Sequence, residues 1–154
     1  MKAVVFRKYG PPDVLQLEEV DKPTPKDDEV LIEVHASSVN DWDYQMLRGI
    51  PIVNRFMAGL FKPSKIMILG CDVSGRVEAI GKNIAKFKPG DEVLGDISQH
   101  RFGGFAEYVC AVNQRSDLSL KTCPSNRRQR YPMQPLWPFR VFVTQVRSSP
   151  AKRF

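Results

Sequence analysis

All ten glycines of this 154-residue chain lie before residue 105, and none follows. Tight turns, bulges and close backbone crossings need glycine, so a fold built from short elements is confined to that first part. Charge divides at nearly the same place. Residues 1–113 carry 14 Lys/Arg against 16 Asp/Glu, a net of −2, whereas residues 114–154 carry nine Lys/Arg against Asp117 alone, a net of +8. The second part also holds five of the twelve prolines. The overall charge of +6 therefore averages two unlike segments and does not by itself point to a nucleic-acid partner.

The glycine-bearing part reads as short strands separated by turn chemistry. Residues 2–7 (KAVVFR) form an apolar run ended by Gly10-Pro11-Pro12, and residues 14–20 alternate partially before Pro23 and Pro25 break them. Residues 29–35 (EVLIEVH) place Val30, Ile32 and Val34 on one face, the pattern of a half-buried strand. Asn40 or Asp41 can cap a short helix running to about Leu47, with Gly49 stopping it. Residues 50–63 read as a loop with room for a turn of helix. Residues 72–80 (DVSGRVEAI) form a strand whose internal Gly75 marks a place where another backbone passes closely. Lys88-Pro89-Gly90-Asp91 fits a tight turn with Pro second and Gly third. Residues 92–95 and 105–112 are further strands. Such a succession predicts a mainly β fold, a partly open β-barrel with a helical insertion.

From residue 114 onward this order is lost. Residues 118–120 hold the only alternating trace, and residues 139–143 (FRVFV) read as a lone strand with no partner; the tail is expected to be poorly ordered. Its arginines, Arg127, Arg128 and Arg130, lie near Tyr131, Trp137 and Phe139, a composition that nucleic-acid binders share. No helical or strand period organises them, so no nucleic-acid partner is expected.

Several function classes are excluded on composition. A hydrophobic content of 42% can build a core, against wholesale disorder. No apolar run approaches the roughly 18–20 residues of a membrane span, and the start MKAVVFRKYG has no apolar stretch of the secretory type. Cys71, Cys110 and Cys123 are an odd set without metal-type spacing, as expected of a reduced cytoplasmic protein, and no zinc site is expected. No glycine-rich phosphate loop follows any strand.

Chemistry-bearing residues are few. Cys71-Asp72, after Gly70, puts a thiol and a carboxylate at the entrance to a strand; the plain alternative is a small buried thiol beside a turn carboxylate. Cys110 reads as core, His35 as structural and Trp42 as packing. Asn40, Asp41, Asp43 and Tyr44 crowd hydrogen-bonding groups at a strand-to-helix corner. Such groups either cap the helix or face a pocket where they orient a carbonyl or a water.

Taken together, residues 29–49, 69–95 (LGCDVSGRVEAIGKNIAKFKPGDEVLG) and 103–112 (GGFAEYVCAV) identify a resemblance. From Met1 to about Asn113 the chain resembles the catalytic domain of the medium-chain dehydrogenase/reductases, a GroES-like barrel. Zinc alcohol dehydrogenases of that superfamily place cysteine and histidine ligands where this chain has Asn40 and Cys71-Asp72. The loop of residues 96–104 is also too short for their cysteine-rich structural-zinc lobe. The resemblance therefore points to the zinc-independent branch of quinone oxidoreductases and enoyl reductases. It implies hydride transfer from NADPH or NADH to a quinone or an electron-poor alkene (enone). It assigns Asn40, Asp43 and Tyr44 as catalytic residues beneath the nicotinamide, and Asn40, Tyr44, Gly103 and Phe105 as bordering the cofactor cleft. A small-molecule acceptor is the expected partner, with a homo-oligomer open; the alternatives are a non-enzymatic GroES-like interaction module or nucleic-acid binding through the basic tail.

The resemblance also bears on the tail. Family members continue after the barrel with an Ala-rich helix and a segment like QGLRDTGKIQPGQKV, leading into a dinucleotide-binding Rossmann domain. Back-translated and read from the third base of each codon, residues 139–154 permit that segment at fifteen consecutive positions. Residues 123–138 permit an Ala-rich stretch in the same frame. Residues from about Gln114 are therefore expected to be a frameshifted reading, the barrel is expected to expose apolar surface, and the chain alone is expected to have little reductase activity.

Overall fold

The structure is a computed structural model, and it describes residues 1–64, 67–98, 102–112, 120–122 and 143–144. Its strands are β1 (Lys2–Phe6), β2 (Leu15–Glu19), β3 (Glu29–Ser38), β4 (Asp72–Ile80), β5 (Glu92–Asp96), β6 (Tyr108–Val112), β7 (Leu120–Thr122) and β8 (Val143–Thr144). Two helices, α1 (Asp41–Arg48) and α2 (Val53–Ala58), separate β3 from β4. The expected mainly β, GroES-like architecture is present as two sheets, and among the described residues the strand pairing does not close a barrel.

The larger sheet has the order β6-β3-β4-β5-β7, with β8 also paired to β3. All its pairings are antiparallel. The ten-residue β3 is its centre, because Val30, Ile32 and Val34 enter the main apolar cluster with Val73, Val77, Val93 and Val109. Full burial of one such side chain contributes about 1.5–3 kcal/mol. Opposite β3, the Gly75 reading holds: a Cβ there would lie 2.0 Å from the Glu33 carbonyl oxygen. The β3–β4 register slips at Leu31/Ile32 and again at Val34/Ala36, beside that glycine. Such bulges bend and twist a strand. At the other end of β4, Pro89 and Gly90 turn the chain into β5, with Gly90 at φ 95° and the Asp91 N–H donating to the Lys88 carbonyl at 3.1 Å.

The smaller sheet pairs β1 with β2 and joins the rest through bridges Ala3↔Ala106 and Val5↔Ile68. A second apolar cluster, Phe6, Met46, Leu47, Ala58, Leu69, Cys71 and Phe102, seats α1 between β1 and the approach to β4. That cluster fixes where the strand-to-helix corner sits.

Two expectations change. Residues 50–63, read as a loop with room for a turn of helix, contain the six-residue helix α2, which is somewhat longer than one turn. The tail also supplies strands: β7 pairs with β5, and Val143, the last residue of the expected lone strand, pairs with Ser38 of β3. Unpaired edge N–H and C=O groups recruit any extended segment that reaches them, which local periodicity in the tail does not disclose. The remaining tail residues, and with them Cys123 and the arginine cluster, lie outside the described residues.

Candidate functional site

The corner at the end of β3 is built by helix capping. Asn40, at φ −128° and ψ 177°, is the N-cap of α1, and Asp43 is the third helical residue. The Asp43 N–H donates to Asn40 Oδ1 at 3.2 Å, and the Asn40 N–H donates to Asp43 Oδ2 at 3.0 Å. This reciprocal pair satisfies two of the orphan amides of a helix start. Gly49 ends the helix in the left-handed region at φ 61°.

The cap leaves the other half of the Asn40 amide free to act. Because Oδ1 accepts from Asp43, Nδ2 faces away from the helix, and it donates to Cys71 Sγ at 2.8 Å and to Asp72 Oδ2 at 3.1 Å. Ser38 Oγ donates to the same Asp72 oxygen at 2.7 Å, and Ser37 Oγ to the Asp72 carbonyl at 2.7 Å. The second oxygen of Asp43 accepts from the Gly70 N–H at 2.8 Å. Helix start, end of β3 and start of β4 are thus tied into one polar junction.

Electrostatics follow from burial. Asp43 is 2% exposed and Cys71 3%. Burial pushes the Cys71 thiol up to about 12, and nearby Asp43 adds to it while the Asn40 hydrogen bond opposes it. Burial likewise raises the Asp43 carboxyl to about 6, against the pull of the Asn40 and Gly70 amides, and Asp72 and Asp96 raise it further. At neutral pH the junction holds a neutral thiol, a neutral amide and a mostly ionised Asp43 carboxyl beside Asp72.

This donor set does not fit zinc. A zinc ligand must offer a lone pair, and cysteine does so as thiolate. Here the Asn40 amide N–H, which has no lone pair to offer, points at the sulfur. No group of three His, Cys, Asp or Glu able to hold a metal ion occurs among the described residues.

The remaining expected site residues divide. The Gly103 and Gly104 amides donate to the Gly70 carbonyl at 3.1 and 2.8 Å, and the Phe105 amide donates to the Leu69 carbonyl at 2.9 Å. The backbone of Gly103 and Phe105 is therefore packed on the same turn that Asp43 holds. A Cβ on Gly70 would lie 2.7 Å from the Phe105 nitrogen. Phe105 lines an apolar groove of about 170 Å³ with Val39, Ser37 and Gly104. Gly103 lines a different cavity, of about 320 Å³, with Val5, Arg7 and Tyr108. Tyr44 does not join the junction; it is 49% exposed on α1, with the Arg48 guanidinium 5.8 Å from its ring centre.

Cys110 is buried, as expected of core, whereas Trp42 is 43% exposed instead of packed inside. Exposed His35 lies 3.9 Å from the Glu33 carboxylate. Sequence reasoning missed Ser38 and Gly104: the Ser37-Ser38 pair before the corner and the Gly103-Gly104 pair were the available signals. The expected exposed apolar surface is present around α2, where Phe61 is 91%, Ile52 67% and Phe56 64% exposed.

Comparison with known proteins places this geometry. The model of the alcohol dehydrogenase GroES-like domain matches residues 26–121. The quinone oxidoreductase of Sus scrofa is 38% identical over 114 residues, covering 73% of this chain and 32% of that protein. The structure of the quinone oxidoreductase from Coxiella burnetii superposes with a TM-score of 0.66 at 33% identity, covering 79% of this chain and 36% of that one. The Escherichia coli quinone oxidoreductase, solved in complex with NADPH, shares the fold with a TM-score of 0.64 at 21% identity, covering 80% of this chain and 33% of that one. The chain thus spans about a third of the length of the curated relatives it matches.

Proposed function

The chain belongs to the alcohol dehydrogenase GroES-like domain family of the medium-chain dehydrogenase/reductases, and from that premise we propose that it is the acceptor-binding catalytic domain of an NAD(P)H-dependent, zinc-independent oxidoreductase. Its acceptor is a quinone or an electron-poor alkene, and its compartment the cytoplasm. The observation that carries the zinc-independent reading is the Asn40 amide donating to Cys71 Sγ and Asp72 Oδ2. That arrangement makes the corner a rigid polar wall where a metal-dependent relative would need lone pairs.

Bound beside this corner, a nicotinamide would supply the hydride. The chain's own part is orientation. Asn40 is fixed at the corner, Tyr44 offers an exposed aromatic ring and hydroxyl on the next turn, and Phe105 presents an apolar wall at the groove. No described residue belongs to a glycine-rich phosphate loop, so these residues suit the nicotinamide end of a dinucleotide and not its pyrophosphate. Addition of 1,4-naphthoquinone to isotope-labelled chain should shift amide resonances of Asn40, Tyr44 and Phe105. Shifts confined to other regions, or none at saturating quinone, overturn the reading. Turnover of NADPH with a simple quinone should be negligible for the chain alone, and rates typical of an intact reductase would contradict that.

The domain boundary belongs to the same proposal. The GroES-like unit, read from sequence as residues 1–113, continues through β7, which pairs with β5, and the family match runs to residue 121. We place the change of reading frame after Thr122. The nucleotide sequence tests this directly: an alternative frame encoding QGLRDTGKIQPGQKV across residues 139–154 supports it, and a frame that does not encode it refutes it.

A further inference from the structure

Asp43 stands out because a buried carboxylate is costly unless its hydrogen bonds are complete. At 2% exposure it is among the most enclosed polar groups described. Its two oxygens accept from backbone amides on either side of the junction, Asn40 at 3.0 Å and Gly70 at 2.8 Å. Neither amide can move without moving something chemical. The Asn40 backbone carries the side chain that donates to Cys71 and Asp72. Gly70 precedes Cys71, and its carbonyl accepts from Gly103 and Gly104.

We propose that Asp43 is a positioning residue, a buried strut that aims the Asn40 side-chain amide by tying the start of α1 to Gly70. This rests on the reading of Asn40 as a site residue, and extends it from the residue itself to what holds it in place. Both contacts are strongest with the ionised carboxylate, since two N–H donors face its two oxygens. Protonation turns one oxygen into a hydroxyl, a poorer acceptor, and weakens that contact. An apolar residue would be cheaper to bury than a carboxylate whose charged form is disfavoured by its surroundings. Facing it across the junction are Asp72 of β4 and Asp96 of β5, which disfavour its charge, and the Cys71 thiol.

Two measurements on the whole chain test this without substrate. In the first, the Asn40 side-chain amide resonances are followed by NMR from pH 7.5 to pH 5. They should titrate together with the Gly70 amide, and the shared transition should remain in Asp72→Asn, at a lower midpoint because the Asp72 charge that raises it is gone. Asn40 resonances that stay fixed while Gly70 titrates, or a shared midpoint that disappears in Asp72→Asn, overturn the proposal. In the second, alkylation of Cys71 by N-ethylmaleimide at pH 7.5 is followed peptide by peptide. Asp43→Asn should speed it about tenfold to a hundredfold, as loss of a charge-assisted hydrogen bond does to a local opening. Asn40→Ala should speed it similarly, and the double variant should match the faster single one. Multiplied effects would mean that Asp43 acts apart from Asn40, which refutes the strut. Should Asp43→Asn not fold, the wild-type titration decides. Because no quinone is present, failure here leaves the acceptor-binding test standing on its own.

Discussion

Lowering the pH should stabilise this chain through Asp43, contrary to the usual action of acid on carboxylates. The cause is the rise of its carboxyl from 3.8 to about 6, driven first by burial. A folded-state value above the unfolded one means that the folded chain binds the proton more tightly. The contribution of Asp43 to stability is therefore lowest above pH 6 and grows as pH falls from about 6 toward 4. Each tenfold difference in proton affinity between folded and unfolded chain is worth about 1.4 kcal/mol, so the gain between pH 7 and pH 4.5 is about 2 kcal/mol. Urea denaturation of wild type and Asp43→Asn at both pH values isolates it. Asparagine does not titrate, and carboxylates with the opposite slope, such as Glu18 held low by its Arg7 hydrogen bond, cancel in the difference. Wild type should gain about 2 kcal/mol on the variant at pH 4.5 relative to pH 7. A difference that stays constant with pH would refute the buried, charge-disfavouring placement of this carboxyl.

Other substitutions probe the fold around the site. Gly75→Ala, whose Cβ would meet the Glu33 oxygen at 2.0 Å, should cost about 3 kcal/mol or prevent folding. Gly90→Ala meets nothing within 4 Å but keeps a φ of 95°, so urea titration should show a loss of only about 1–2 kcal/mol. Asn40→Ala removes a cap and should lower stability by about 1 kcal/mol in the same assay. Phe56→Ser with Phe61→Ser, at 64% and 91% exposure, should change stability by no more than about 0.5 kcal/mol. The same pair should reduce self-association in sedimentation velocity.

What the sequence disclosed was local. The alternation of Val30, Ile32 and Val34, the stop at Gly49, the Pro89-Gly90 turn and the crossing at Gly75 each follow from a few neighbouring residues, and each is found. Helix α2 was less legible because its buried positions are the polar Asn54 and the small Ala58 while the apolar Val53 and Phe56 face outward, so the apolar pattern does not mark the buried face. The junction was only half legible. Asn40 could be read as a cap and Cys71-Asp72 as a strand entrance, but the bond between Asn40 and Cys71 spans 31 residues and depends on the β3–β4 register. That register includes two bulges that alternation cannot locate. The family resemblance supplied this pairing of positions. Separation of Gly103 and the Phe105 ring into different cavities was visible to neither route, since both residues lie on one short loop.

The account turns on the junction of Asn40, Cys71 and Asp72 being a hydrogen-bonded wall and not a metal centre. Cobalt titration followed by absorbance tests this most directly, because cobalt occupies zinc sites and reports thiolate ligation by a charge-transfer band. Wild-type chain should show no band that depends on Cys71. A stoichiometric band lost in Cys71→Ser would contradict the account.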